Sequence, residues 1–386
     1  VKKIFNLHFF NSNVMRKIIL VTLLLCQSFL VLSQNYQKDA SFSIGTGFDE
    51  PPLCFDELPN QQLVVGGSFT SLNGISCSKI VVLNEDGSLS TEFQPSETFF
   101  ADKIVNKVLR LPDGKLLIAY RVIDGGTNFS SGVLRLNDNG SQDEDFETII
   151  FNRPINDMTI HTDGDYLVCG GFSSVNNINN INSLVKININ GTLENTFSVG
   201  SGSNGESNAV EVLADGTILL AGSFPSFNGN STYKSIVKLT STGSFASGFT
   251  PGSYYFNRIK DVLLQNDGKI VVVGHFAENG SLPNSTNRII RLMPDGTKDE
   301  TFDIGTGFGG PADYIIKMAD DSLLVGGAFT LYNNVSPANG IMNLTPNGLN
   351  NTSVHGFGFG FYTGSANQNV LQLQQLNNGK IVVLGT

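Results

Sequence analysis

Residues 258–276, with the sequence RIKDVLLQNDGKIVVVGHF, decide the fold of this chain. Two apolar runs flank Asn266, Asp267 and Gly268. An Asn-Gly or Asp-Gly pair between such runs is a strong hairpin signal, because a tight turn needs positive φ angles. Residues 287–302, NRIIRLMPDGTKDETF, supply a second hairpin. Since no helical period of apolar residues intervenes, this stretch is predicted to form four short antiparallel strands.

The same pattern returns about every 52 residues. One series of turn glycines has spacings of 53, 51, 52, 53 and 52 residues and comprises Gly87, Gly140, Gly191, Gly243, Gly296 and Gly348. A second series comprises Phe42, Phe93, Phe146, Phe197, Phe249 and Phe302, with Val354 in the next place. A third comprises Phe69, Phe172, Phe224, Phe276 and Phe329, with Arg121 interrupting it. Three series with one period establish an internal repeat.

A repeated four-stranded antiparallel unit is the blade of a β-propeller. The alternative is a parallel β-helix, but hairpins inside every unit argue against parallel pairing. Six units end near Phe93 and its successors, and residues 368–386 supply the first two strands of a seventh. We therefore predict an all-β propeller of about seven four-stranded blades, whose last blade is incomplete because the chain is truncated at its C-terminus.

The string SFSIGTGF, residues 41–48, resembles TFDIGTGF, residues 301–308. The two lie five repeat periods apart, so the first is expected to be the outer strand of a blade that begins at the other end of the chain. We predict that this N-terminal strand, within residues 38–48, completes the last blade and closes the ring, which would remove two exposed sheet edges.

The N-terminus reads as an extension followed by a secretory signal peptide from Met15, with cleavage near Ser33 to Asn35. A single membrane-spanning helix is the rival interpretation, but the apolar run from Ile18 to Leu32 falls short of about 20 residues. Residues 1–34 are therefore assigned to extension and signal peptide, and residues 35–386 to one propeller domain. We expect a secreted or cell-surface protein whose mature chain has no membrane span.

The mature chain is acidic, with 20 Lys and Arg against 34 Asp and Glu once the leader's four basic residues are set aside. It contains no run of basic residues, so nucleic acid and anionic membranes are not expected as partners. We expect a monomeric propeller that binds a protein or a glycan.

No catalytic, cofactor-binding or metal site can be assigned from the residue pattern. His161, His275 and His355 stand at different places in their repeats, so they are interpreted as ordinary strand or loop residues. Acidic turns at residues 137–147 and 293–302 raise calcium as a weak alternative to solvated hairpins. A Cys54–Cys77 disulfide is left open, and the repeating phenylalanines are assigned to the core between blades.

The unit LVVGGSFTSLNGISCSKIVVLNEDGSLSTEF, residues 63–93, resembles the delta-60 repeats of secreted bacterial β-propellers. The resemblance covers residues 35–386 and implies the fold, but no common activity. The absence of Trp excludes the signatures of kelch, WD40 and sialidase repeats. We predict a non-catalytic binding or structural module of a larger exported protein, with residues 174–182 and 278–287 as contact loops. The alternative is a carbohydrate-active or other extracellular enzyme with its site in the same loops.

Overall fold

The computed structural model describes residues 7–12, 34–123, 130–252, 257–276, 288–334, 340–352, 354–355 and 369–385. In chain order the strands are β1 Leu7–Ser12, β2 Gln34–Lys38, β3 Pro52–Glu57, β4 Leu63–Gly67, β5 Ser71–Leu72, β6 Ile75–Ser76, β7 Ile80–Leu83, β8 Lys103–Arg110, β9 Leu116–Val122, β10 Ser131–Leu136, β11 Ile149–Phe151, β12 Ile155–Ile160, β13 Tyr166–Gly170, β14 Ser174–Val175, β15 Ile178–Asn179, β16 Leu184–Ile187, β17 Glu206–Val212, β18 Ile218–Ser223, β19 Ile236–Leu239, β20 Ile259–Leu264, β21 Ile270–Gly274, β22 Ile289–Leu292, β23 Ala312–Lys317, β24 Leu323–Gly327, β25 Ile341–Leu344, β26 Val354–His355, β27 Val370–Gln375 and β28 Ile381–Gly385. One short helix, α1, spans Glu97–Phe100.

Within these residues the strands form repeated antiparallel meanders of three, numbered here as units 1 to 7. They are β3-β4-β7, β8-β9-β10, β12-β13-β16, β17-β18-β19, β20-β21-β22, β23-β24-β25 and β27-β28-β1. The first strands of successive units lie side by side, and β27 lies beside β3. The fold is thus all-β and mostly antiparallel, as predicted, with the repeating sheets of a β-propeller.

The turn chemistry agrees with the sequence signal. Strands β20 and β21 pair from Ile259 with Gly274 to Leu264 with Ile270. Between them, Gly268 has a φ of 80° and its N–H donates to the Gln265 carbonyl oxygen at 3.0 Å. A side chain is strained at such a φ angle, and this explains the glycine in the predicted turn.

The predicted fourth strand forms a ladder in two of the described units. Strand β11 pairs with β10 in unit 2, and β2 pairs with β1 in unit 7. In units 1, 3, 4, 5 and 6 the prediction is corrected, because the segment after the second hairpin turn makes a single bridge, such as Leu292 with Lys298, instead of a ladder. The chain turns again at once, because the Phe302 N–H donates to the Asp299 carbonyl oxygen at 3.2 Å. This second turn places Phe302 in the core, so the segment leaves its own sheet after one pair.

The predicted outer strand within residues 38–48 is also corrected. Strand β2 ends at Lys38. SFSIGTGF, residues 41–48, forms turns around Gly45 and Gly47, whose φ angles are 61° and 82°. Only Phe48 makes a bridge, with Leu72. The third position beside β28 is taken instead by β1, from the N-terminal extension, with Leu7 opposite Leu384.

The core lies between neighbouring units. Every phenylalanine of the series Phe69, Phe172, Phe224, Phe276 and Phe329 is buried, and so are Phe42, Phe93, Phe146, Phe249 and Phe302. The clusters combine two units: Phe146 and Ala119 of unit 2 pack with Met158 and Val168 of unit 3. The prediction that these rings form the core between blades is therefore confirmed for these residues, and the remaining one, Phe197, is partly buried against the cluster of units 3 and 4.

None of the described helices has the length and apolar character that a membrane crossing requires. The apolar run from Ile18 to Leu32 lies outside the described residues.

Candidate functional site

A cavity of about 270 Å³ lies among the first strands of the units, and it is called here the axial cavity. Its walls are mainly polar, with an apolar part at Ala209, Val370 and Leu371. The charged lining residues are Lys107, Asp157, Arg258, Lys260, Asp261 and Asp313. The remaining lining residues are Asn156, Asn208, Ala209, Tyr314, Asn369, Val370 and Leu371.

A bulge in each first strand accounts for this concentration of polar side chains. The register shifts between Ile155 and Asp157 in β12, and between Ile259 and Asp261 in β20. The other first strands shift at the matching place. A bulge places two residues opposite one and re-aims their side chains. The cavity lining consists largely of the bulge residue and the residue after it.

The bulge residue is asparagine in units 2, 3 and 4, and each asparagine bonds the next unit. The Asn106, Asn156 and Asn208 amide groups donate to the carbonyl oxygens of Ile155, Ser207 and Ile259 at 2.6, 2.9 and 2.6 Å. Each accepting carbonyl belongs to the residue that precedes the next bulge. These asparagines therefore join neighbouring first strands, which share no backbone ladder.

The carboxylates of Asp157 and Asp261 also bond neighbouring units to one another. Asp157 accepts the Val210 N–H of the next unit at 3.1 Å through Oδ2, and its Oδ1 lies 2.6 Å from the Lys107 ammonium. Asp261 accepts the Ile315 N–H of the next unit and the Val262 N–H, both at 2.9 Å. All four carboxylate oxygens consequently have partners within the protein.

The floor of the cavity is an ionic group that spans several units. Burial alone would lower the pKa of the Lys107 ammonium, but the attraction of Asp157 outweighs burial and raises it, so Lys107 is charged. Burial raises the pKa of Asp261 to about 7, although the Ile315 N–H opposes the shift. Burial also raises the pKa of the Tyr314 hydroxyl, which is therefore a hydrogen-bond donor at neutral pH.

The mouth of the cavity carries two further cations. Arg258 lies 3.5 Å from Glu206, with both side chains about half exposed. Lys260, the bulge residue of β20, has no ion pair or hydrogen bond to its side chain among the described residues. Asp313 lies 2.7 Å from the His275 imidazole. The free polar groups at the mouth are thus mainly donors.

The histidines do not converge. His161 follows β12 and lies 3.0 Å from the Gly216 carbonyl oxygen, whereas His275 lies at the cavity mouth beside Asp313. His355 belongs to β26, where only the backbone is described. Among the described residues, no group of three or more His, Cys, Asp or Glu side chains is arranged to hold a metal ion.

The acidic turns differ from the solvated hairpins expected. Asp299 and Asp143 are buried, and they lie 2.7 and 2.6 Å from the guanidinium groups of Arg291 and Arg135. Lys269 and Lys115 approach the same carboxylates at 3.0 and 2.7 Å. The solvated-turn interpretation was wrong for these two residues, because an arginine in the preceding strand draws each carboxylate inward. The other acids of these turns are mostly exposed.

Cys54, Cys77 and Cys169 are free thiols, so the disulfide left open for Cys54 and Cys77 is not formed. Burial raises the pKa of Cys54 to about 12 and that of Cys77 to about 11. Neither thiol is therefore activated as a nucleophile at neutral pH.

The contact loop predicted at residues 174–182 contains the short hairpin of β14 and β15. Its last residue, Asn182, lines a second cavity of about 560 Å³ between units 3 and 4, together with Phe172, Ser203 and Glu206. The other predicted loop, residues 278–287, lies outside the described residues. Sequence reasoning placed the site in these loops and missed the axial cavity. The available signal was a charged residue inside the apolar first strand, as in RIKDVLL.

Comparison with known families agrees with this architecture. The family model described as "Domain of unknown function (DUF5122) beta-propeller" matches residues 58–93, 111–146, 161–197, 213–249 and 265–302. These five segments follow the repeat period and support a β-propeller repeat family, so the chain is a β-propeller repeat protein. The delta-60 name itself stays a prediction. Comparison with curated proteins gave no match.

Similar solved structures include a protein of unknown function from Bacteroides caccae, 16% identical with a TM-score of 0.37, over 64% of this chain and 79% of that chain. YCF48 from Cyanidioschyzon merolae is 12% identical with a TM-score of 0.41, over 87% and 96%. A glucose dehydrogenase is 14% identical with a TM-score of 0.38, over 87% and 96%. Similarity at this level carries no argument about a ligand or a reaction.

Proposed function

We propose that this chain is an exported, non-catalytic β-propeller, which serves as a binding module of a larger cell-surface or secreted protein and takes its ligand in the axial cavity. The observation that supports this most directly is the use of Asp157 and Asp261. Both carboxylates accept backbone N–H groups that join one unit to the next. A carboxylate held in this way is poorly placed to exchange a proton with a substrate.

The proposal includes a closed ring of seven blades. Its main support is Gln372 of β27, whose amide is hydrogen-bonded to both backbone groups of Phe55 in β3. The Asn377 N–H adds a bond of 2.9 Å to the Glu57 carboxylate. The Gln372 Oε1 accepts a backbone N–H of the neighbouring first strand, as the carboxylates of Asp157 and Asp261 do at interior junctions.

Export is proposed from the leader sequence. Cleavage near Ser33 to Asn35 would remove β1 and free the edge of β28, because Leu7–Ser12 is the strand that pairs there. N-terminal sequencing of protein recovered from the medium tests this directly. A mature chain that begins near Asn35 is expected, and retention of residues 7–12 would contradict cleavage at that place.

The binding role is tested with the purified propeller and a panel of chromogenic glycosides and esters, in parallel with thermal-shift screening of small polar ligands. We expect a ligand that raises the melting temperature without turnover. Turnover that is lost in the folded variants Asp157→Asn and Asp261→Asn would overturn the non-catalytic role.

An extracellular enzyme, such as a carbohydrate-active one, is the second candidate. One observation favours it: the pKa of Asp261 is raised to about 7, which suits a general acid at neutral pH. The same turnover assay decides between the two candidates, since only the enzyme would lose a measurable rate with Asp261→Asn.

A further inference from the structure

We infer that the axial cavity binds a small carboxylate-bearing molecule of about monosaccharide size. The inference rests on the proposed role of this cavity as the ligand site of a binding module, and it adds the chemical class of the ligand. It follows from the state of the charged groups in the cavity walls: the carboxylates of Asp157 and Asp261 are already in use within the protein, whereas several donors are free.

Most carboxylate oxygens of the cavity already have partners within the protein. The two oxygens of Asp157 face Lys107 and the Val210 N–H, and those of Asp261 face the Val262 and Ile315 N–H groups. Asp313 at the mouth uses its Oδ1 for the His275 imidazole at 2.7 Å. Its Oδ2 and the neutral Asn369 Oδ1 are acceptors without a hydrogen bond among the described residues. A cationic ligand at Asp157 or Asp261 would have to displace one of these partners and leave a buried donor unsatisfied, which costs more than a hydrogen bond gains. Such a ligand would also be repelled by Lys107, Arg258 and Lys260 in the same lining.

Several hydrogen-bond donors of the cavity, by contrast, have no partner among the described residues. An ammonium group has three N–H donors. Lys107 is bonded to Asp157, and Lys260 has no partner to its ammonium among the described residues. The Tyr314 hydroxyl likewise has no hydrogen-bond partner among them. Arg258 is held only by a 3.5 Å contact with a half-exposed Glu206.

These donors come from three different units and line one space. Lys107 belongs to β8, Arg258 and Lys260 to unit 5, and Tyr314 to β23. Two ammonium groups, a guanidinium and a phenol that surround a cavity are complementary to a group rich in acceptors and negatively charged. A carboxylate satisfies several of these donors at once, and a neutral hydroxyl satisfies fewer.

The size of the cavity limits the ligand. Its volume of about 270 Å³ lies just under the range of about 300–1,000 Å³ typical of sites for drug-sized ligands. The apolar side chains of Val370 and Leu371 cover one side, where the carbon skeleton of a ligand can pack. A single sugar acid fits this description, whereas a polysaccharide chain does not.

The experiment is isothermal titration calorimetry of the folded propeller with three hexoses of one configuration. They are galacturonate, which has a carboxylate, galactose, which is neutral, and galactosamine, which is a cation. We expect measurable binding of galacturonate, binding of galactose weaker by about tenfold or more, and none of galactosamine. Galactose binding as tight as galacturonate would overturn the charged ligand class and leave the binding module standing.

The site is located with Lys260→Met and Tyr314→Phe, which remove free donors and break no bond between units. Each is expected to weaken galacturonate binding by about tenfold. The matched control is Lys234→Met, at a lysine outside the cavity, which should bind like the unmodified protein. Melting curves confirm that each variant is folded. Galacturonate binding unchanged by both cavity variants, or no binding of any probe, would overturn the inference, whereas turnover would overturn the proposed function itself.

Discussion

Gln372 and Phe55 lie 317 residues apart in the chain, yet the Gln372 side chain is bonded to both backbone groups of Phe55. Its Oε1 accepts the Phe55 N–H at 3.0 Å, and its Nε2 donates to the Phe55 carbonyl oxygen at 2.8 Å. The primary amide thus imitates a peptide unit and extends the hydrogen bonding of β3 toward β27. The two strands that it joins, β27 and β3, lie near opposite ends of the chain.

Gln372→Glu should therefore lower the free energy of unfolding by about 1–3 kcal/mol. The carboxylate cannot donate to the Phe55 carbonyl oxygen, and it faces that oxygen with a negative charge. Urea unfolding measures the change. Gln375→Glu is the matched control, because among the described residues the Gln375 side chain makes one hydrogen bond, in which it accepts the Ala319 N–H at 2.9 Å, and a carboxylate accepts it equally well. Equal losses in both variants would mean that the junction does not depend on the Gln372 amide.

Phe42→Ala should lower the free energy of unfolding by about 3–5 kcal/mol, as is typical of a buried phenylalanine. Phe42 is packed between unit 1 and unit 7, in a cluster that includes Phe55 and Val382. The control is Ile189→Ala at a side chain that is 54% exposed, where little change is expected. A Phe42→Ala protein that unfolds at the same urea concentration as the unmodified one would contradict the role of residues 41–48 in sealing this junction.

Asp299→Asn should cost about 3–5 kcal/mol of stability, because it leaves the buried Arg291 guanidinium without its counter-charge. Arg291 is only 2% exposed, and its Nε lies 2.7 Å from Asp299. Thermal and urea unfolding both report the loss. The control is Asp295→Asn in the exposed turn nearby, where no large change is expected. Similar stability of the two variants would show that the buried pair contributes little.

Glu211→Gln should make stability less dependent on pH. Burial, and then the negative charge of Asp157, raises the pKa of Glu211 from 4.5 to about 7. The folded protein therefore holds this proton more tightly than the unfolded chain, and stability falls as the pH rises from 4.5 to about 7. Relative to the unmodified protein, the variant should gain up to about 3 kcal/mol between pH 4.5 and pH 8.

The measurement for Glu211 is the free energy of urea unfolding at several pH values across this range. Glu92→Gln, at an exposed side chain, is the control and should follow the unmodified protein throughout. A Glu211→Gln curve parallel to that of the unmodified protein would show that Glu211 ionises normally in the folded state.

The repeat and its hairpins could be predicted from sequence because Asp-Gly turns and apolar runs act locally. Gly268 has the positive φ angle that its turn signal implied. The prediction of a fourth strand was wrong in five units, as in unit 5, where the segment after Gly296 has the composition of a strand but leaves the sheet to bury Phe302. SFSIGTGF was misread for a related reason: its alternating apolar residues are buried, yet the glycines between them form turns instead of a ladder.

The axial cavity depends on contacts that no local pattern contains. Lys107, Asp157, Asp261 and Tyr314 are separated by about one to four repeats in the chain, and only the packing of the first strands brings them together. The charged residues inside those strands were visible, but their partners were not. For the same reason, the buried pairing of Asp299 with Arg291 looked like an exposed acidic turn.

The sequence by itself determined the repeating antiparallel units, the hairpin turns and the phenylalanine core, because backbone preference and burial of apolar side chains operate within one or two units. The tertiary structure alone decided which polar groups are used between units and which stay free for a ligand. Which groups are paired depends on distances across the cavity. Because burial makes an unpaired charge costly, a nearby partner such as Asp157 has a large stabilising effect on the Lys107 ammonium.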